Sequence, residues 1–213
     1  DEIANRIQQY DSAGWQVAVH TQGDRAISET LDAFEKSGIS KNSRHRLEHC
    51  LLPSKKAIQR MAKLGVSPSF HINHLWYYGE ALEDHIIGRE RTDKILPLKV
   101  AENNSLIFSL HADQPMFESD PLSLLHTAVN RKTRDGQIVG KTNKISVEQG
   151  LKSLTINAAW QIRMENKIGS IKPGKYADFV IIDQNPMMVD PEKIKDIHVL
   201  QTIVNGNTVY KKD

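Results

Sequence analysis

The chain carries a single cysteine, Cys50, in 213 residues. One thiol excludes an intrachain disulfide framework and favours a cytoplasmic setting. No apolar stretch approaches the length of a membrane span, so no membrane partner is expected. The formal net charge is only +2. The charges are interspersed, and no basic stripe with interleaved aromatics is present, so nucleic acid is not expected as a partner. There is no Gly-x-Gly-x-x-Gly run or Walker loop, which removes those routes to nucleotide binding. A Gly-x-Ser-x-Gly elbow for a serine hydrolase is also absent. The first residues show no signal-peptide pattern and no initiator Met, and they begin inside a helical pattern. The natural start is therefore expected upstream. What remains is ordinary globular composition, 39% hydrophobic and 25% charged, enough for one sizeable domain or for one domain and a small one.

Short apolar runs alternate with amphipathic segments. Helical spacing is read over 3–13, 25–37, 54–64, 92–103, 121–130 and 147–158, with strands near 15–19, 44–49, 66–70 and 106–110. This β-α-β-α-β-α-β order argues for a parallel sheet or barrel. The character changes near 168. Gly169 to Lys175 is turn chemistry, 177–183 is a β-branched strand, and Val199 to Tyr210 reads as a hairpin around Asn205-Gly206.

Three polar triplets follow strand-like runs: Val19-His20-Thr21, Glu48-His49-Cys50 and His111-Ala112-Asp113. His20 and His49 are 29 positions apart, about one strand and one helix. In a (β/α)8 barrel the active site is built at the C-terminal ends of the strands. Two imidazoles and a carboxylate there are the donor types of a catalytic divalent-metal site. Taken singly, His20 reads equally well as a polar strand-end residue, and Asp113 as a turn residue ahead of Pro115. Asp24 is expected to cap a helix or orient a ligand. In Arg44 to His49 the alternation places His45, Leu47 and His49 on one face and Arg46 and Glu48 on the other. His49 is the better ligand candidate, His45 and Arg46 read as structural, and Glu48 is expected as a salt-bridge partner on the outer face. His111, on the strand face of Asp113, is expected to contact substrate or to pack. His71 and His74 flank what reads as an aromatic loop with Trp76, Tyr77 and Tyr78, suited to a substrate pocket or to a hydrophobic plug. His85, His126 and His198 read as structural. Cys50 beside His49 carries little weight as a nucleophile, because neighbouring strand residues point to opposite faces.

The ordered set His20-Thr21-Gln22-Gly23-Asp24-Arg25, Arg46-Leu47-Glu48-His49 and Ser109-Leu110-His111-Ala112-Asp113-Gln114-Pro115 resembles the second half of the amidohydrolase superfamily. It is most similar to the amidohydrolase 3 (YtcJ-like) group of metal-dependent hydrolases. Ile168-Gly169-Ser170-Ile171-Lys172-Pro173-Gly174-Lys175-Tyr176-Ala177-Asp178 is similar to the return from barrel to β-sandwich in these enzymes. The resemblance implies an α/β fold. It would be the C-terminal half (about strands 5–8) of a (β/α)8 TIM-type barrel over 1–165, and the C-terminal strands of a small β-sandwich over 166–213. It implies His20, His49 and Asp113 as ligands of a divalent metal, zinc being the first choice. Asp113 would also be the catalytic proton shuttle, and His74, with His111 and Tyr78, would face substrate. The implied reaction is hydrolysis of a non-peptide, amide-like carbon–nitrogen bond of a small molecule by metal-activated water. The strand-1 His-x-His pair of the family has no counterpart here. A homo-oligomer or a missing N-terminal half is therefore expected to complete the barrel. The alternative is a non-catalytic scaffold of that fold with no bound metal.

Overall fold

The computed structural model describes residues 2–213. A four-stranded parallel sheet runs in the order β1 (Ala18–Thr21), β2 (Arg46–His49), β3 (Ser67–His71), β4 (Ser109–His111). Each strand is reached through helices: α1 (Glu2–Ser12) precedes β1, α2 (Asp24–Ser37) leads to β2 and α3 (Lys55–Leu64) to β3. Between β3 and β4 lie α4 (Asn73–Ala81), α5 (Arg89–Thr92) and α6 (Leu98–Asn103). Among the described residues β1 pairs only with β2, and β4 only with β3, so the sheet has two open edges.

Local chemistry explains the helices. Ser54 accepts a hydrogen bond from the Ala57 amide to start α3, and Gly65, left-handed at φ 71°, ends it. Asp120 caps α7 (Pro121–Asn130), with Pro121 in the first turn where no amide is needed. In α2, Ile27, Leu31 and Phe34 recur at helical spacing and are fully buried. They share one core with Leu47, Ile58, Met61 and Phe70. Burial of each such side chain contributes about 1.5–3 kcal/mol.

Register decides what the other sheet face presents. His20 pairs with Glu48, Glu48 with Ser69, and Ser69 with Ser109. Paired residues of parallel strands share a face, so Arg46 and Glu48 lie with His20, Ser69 and His111 on the concave side. The expected outer placement of Glu48 is thus corrected: Leu47 takes the helix-covered side, and Glu48 lines an open cavity of about 810 Å³ with Ser69, Ser109 and His111. Its expected ion-pair role holds, since Arg46 Nε donates to Glu48 Oε1 at 2.9 Å. At the N-terminal end of the strands, Gln161 Nε2 donates to Ser67 Oγ and to the Pro68 carbonyl, both at 2.9 Å.

Other boundaries moved for identifiable reasons. The stretch read as one helix over 147–158 is two, α8 (Val147–Leu154) and α9 (Ile156–Gln161), broken at Thr155 (φ −127°, ψ −95°). The aromatic segment after His71 is helix α4, not a loop. Asp24 is the first residue of α2 rather than its cap, which is Gly23; its carboxylate receives the Arg25 amide and Arg91 instead. The C-terminal part is an antiparallel sheet of β5 (Phe179–Ile182), β6 (Val199–Val204) and β7 (Asn207–Lys211). Asn205 and Gly206 both have positive φ, as the tight hairpin expected from Asn-Gly requires. Among the described residues no helix is long and apolar enough to cross a membrane.

Candidate metal centre

The C-terminal ends of β1 to β4 bring five imidazoles together. The His20 ring stands edge-on to His49 with centroids 4.5 Å apart. His49 lies 5.1 Å from His111 and 5.7 Å from His71. His71 stacks on His111 at 4.9 Å and meets His74 edge-on at 4.0 Å. Parallel register accounts for part of this: His71 and His111 are direct partners at the ends of β3 and β4. The backbone accounts for the rest. His49 (φ 70°), Cys50 (φ 47°) and Asp113 (φ 55°) occupy the left-handed region without being glycine. Such residues cost of order 1–3 kcal/mol each and cluster at functional sites. By alternation alone His49 belongs with Leu47 on the helix-covered face; the left-handed turn at its end of β2 accompanies its position among the other rings.

His49, His111 and Asp113 each offer one donor atom, all within 4.8 Å of one another. Among the described residues this is the one such group. The Asp113 carboxylate stands 3.9 Å from His49 Nδ1, and its side chain is 43% exposed. His20, expected in the donor set, lies beside the group on an exposed part of β1. His111, expected as a substrate contact, falls within it. His74 is buried in the first turn of α4, and Tyr78, half-exposed, lies 6.0 Å from it between ring centroids.

The residues fit a divalent transition ion. His49 Nδ1, both nitrogens of His71, His74 Nδ1 and His111 Nε2 are buried and lack a hydrogen bond of acceptable geometry. Buried polar atoms without partners are rare in folded proteins and call for an explanation. Burial also keeps these rings neutral, which leaves lone pairs free for a ligand. It pushes His71 down to about 3 and His74 to about 4, with neighbouring imidazoles adding to the effect for both. Burial likewise lowers His49 and His111.

These shifts have a consequence for stability. An unfolded histidine protonates near pH 6.5, whereas folded His71 and His74 do so only near 3 and 4. As pH falls from 6.5 towards 4 the unfolded state takes up protons that the folded state refuses. Stability is present above 6.5 and is lost by up to about 1.4 kcal/mol per pH unit per histidine. Guanidinium melts of chelator-treated protein at pH 7, 5.5 and 4.5 should show falling midpoints, with a shallower fall in the H71N/H74N double variant. Equal slopes in the two proteins would refute the assignment.

Phe117 was not singled out from the sequence, and His71 was read there only as flanking an aromatic loop. His71 is fully buried at the centre of the cluster. Phe117 lies 5.4 Å from it and stacks on Tyr77 at 4.5 Å, forming an aromatic wall beside the site. The available signal for His71 was period-2 alternation with Ser67 and Ser69, which puts a third polar strand end beside the other two. Of the residues read as structural, His45 packs as one. His45 Nδ1 accepts from the Val17 amide at 3.0 Å, and its ring stacks on Phe34. Cys50 is fully buried with its thiol pushed up to about 12 by burial, which disqualifies it as a nucleophile.

Comparison with known proteins agrees with this architecture. The chain is 28% identical, over its whole length, to YtcJ of Bacillus subtilis (strain 168), which carries an amidohydrolase name. It is 27% identical over 93% of its length to an N-substituted formamide deformylase of Arthrobacter pascens. It spans 41% and 37% of those two proteins. Among solved structures, 88% of it superposes on 37% of an uncharacterized metal-dependent hydrolase from Pyrococcus furiosus, with a TM-score of 0.75 and 27% identity. Residues 1–210 match the amidohydrolase family as its amidohydrolase 3 group describes it. With the sheet, the histidine-rich strand ends and this match in agreement, the chain belongs to the amidohydrolase family.

Proposed function

We propose that the chain carries about strands 5–8 of the barrel of a metal-dependent amidohydrolase over 1–165, and the closing strands of its β-sandwich over 166–213. In this reading it serves hydrolysis of a non-peptide, amide-like carbon–nitrogen bond in a small molecule. The observation that carries the reading is the convergence of His49 and Asp113 at the ends of parallel strands, beside buried imidazoles with ring nitrogens that lack a well-formed hydrogen bond.

His49 and Asp113 would hold the ion, with His20 edge-on to His49 as a further donor. A bound divalent ion, zinc being the first choice, supplies Lewis-acid activation of water and of the amide carbonyl. Asp113 takes the proton released by the attacking water and returns it to the leaving nitrogen. Its half-exposed carboxylate can exchange protons with solvent between cycles. His74 and Tyr78 border the substrate, with Phe117 and Tyr77 as an apolar wall for an N-substituent. The open edges of β1 and β4 take the remaining strands of the barrel, from the rest of a longer protein or from a second copy. The single buried thiol suits the reducing cytoplasm.

Those open edges also favour a second reading, a non-catalytic scaffold. Release of amine from N-alkyl and N-aryl formamides by the zinc- and cobalt-loaded chain separates the two. Catalysed release is expected. No release above buffer with either ion would leave the scaffold.

A further inference from the structure

The donor set implied by resemblance and the one grouped by the structure share His49 and Asp113 but differ in the third member, His20 in one and His111 in the other. We propose that His111 is a direct donor to a divalent transition ion held with His49 and Asp113, so that this chain alone presents a three-donor site. The inference rests on the metal-dependent reading above, but it concerns where the ion is held rather than what is hydrolysed.

The spacing supports it. Donors around a tetrahedral ion with bonds of about 2.0–2.1 Å stand about 3.4 Å apart. The 3.9 Å between His49 Nδ1 and Asp113 Oδ2 is too long for a hydrogen bond. It exceeds the coordination spacing by only about half an ångström, which small side-chain rotations close. The three donor atoms fall within 4.8 Å of one another with no ion to draw them in.

Unmet bonding capacity points the same way. His49 is 7% exposed and its Nδ1 is buried without a partner, as is His111 Nε2. Leaving a buried polar atom unpaired costs about 1–3 kcal/mol. An ion accepting both lone pairs removes two such costs at one point.

Chain path supplies the third argument. His111 ends β4 and Asp113 follows it two residues on, and the left-handed backbone at Asp113 accompanies the carboxylate's position beside His49. His71, fully buried, stacks on His111 with an interplanar angle of 27°, and so restricts the rotation of that ring. His20 has no such support. Two imidazoles and one carboxylate suit zinc or cobalt rather than magnesium or calcium, which prefer all-oxygen shells.

The test is Co²⁺ titration of the full chain after chelator treatment, read by visible d–d absorption and by competition with a chromophoric chelator. About one equivalent should bind. Loss of a mere outer-shell partner costs 10–100-fold in metal affinity, so H111A and H111N should each lose at least about 100-fold. Far-ultraviolet circular dichroism guards against misfolding, and free imidazole should restore part of the cobalt spectrum of H111A. The exposed His198, far along the chain just before β6, serves as control, and H198A should bind within about twofold of wild type. A folded H111A with wild-type affinity overturns the proposal; if H20A then weakens binding, the metal-dependent reading survives without it. A wild-type chain that binds no Co²⁺ overturns both. Binding that depends on His111 without turnover of any formamide leaves this proposal standing and removes the hydrolytic one.

Discussion

On the proposed hydrolytic reading, replacing Asp113 by Asn should lower the rate of amine release by about 10²–10⁴-fold, the usual contribution of a positioned general acid–base. Asparagine keeps the size of the side chain and one oxygen donor but cannot take up a proton. Rate should therefore fall much further than metal content. Amine release and elemental analysis on the same preparation check this. Equal losses of rate and metal would show that the carboxylate matters only as a ligand. An unchanged rate would remove Asp113 from the chemistry. Nearby charge makes the experiment clean: among the described residues the only ion-pair partner of Asp113 within 4 Å is His49, at 3.9 Å. The substitution therefore breaks no structural ion pair elsewhere in the fold.

The second large effect is on stability. Arg131 caps α7 and is fully buried. Its Nε donates to the Val139 carbonyl at 3.0 Å, Nη1 to Leu96 at 2.9 Å and Nη2 to Ile95 at 2.8 Å. Burial pushes its pKa down to about 9, partly offset by Asp93, so the guanidinium is charged at neutral pH and its hydrogen bonds are charge-assisted. One planar fork thus ties the chain before α6 to the hairpin-like turn after α7. Gly140 is packed so closely here that a Cβ would lie 2.5 Å from the Asp93 carbonyl and 2.8 Å from Arg131 Nη2. R131M would leave the buried Ile95 and Val139 carbonyls without their donor and strip the Leu96 carbonyl of one of two, the Leu98 amide staying at 2.8 Å, at a cost of roughly 3–5 kcal/mol. For a chain of this size that is a fall in Tm of roughly 6–20 °C. R131K should rescue little, because an ammonium cannot reproduce the fork. Calorimetry decides it, and a Tm within about 2 °C of wild type would show that the surrounding backbone finds other donors.

Part of this protein was legible along the chain. Apolar runs separated by amphipathic segments specify parallel β/α units, because strand and helix periods differ and each buries one face. Asn205-Gly206 specifies its hairpin, because both residues accept positive φ. The triplets that contain His20, His49 and Asp113 mark strand ends, where polar residues follow buried ones. Arg131, by contrast, looks in sequence like any surface arginine at a helix end; only the convergence of three carbonyls from 95, 96 and 139 makes it a buried brace.

The candidate metal centre divides in the same way. Residue types alone determined that imidazoles and a carboxylate gather at strand ends, since that follows from order and spacing. Which of them share a point was decided only by tertiary structure. The face presented by β2 depends on its register with β1 and β3, and register placed Glu48 on the concave side. The position of His49 goes with a left-handed φ that no local pattern announces. His71 enters the cluster because β3 lies between β2 and β4, a neighbour relation set by packing. A one-dimensional pattern fixes periodicity and composition; the meeting of side chains distant in sequence depends on strand order and backbone turns, which are settled when the core closes.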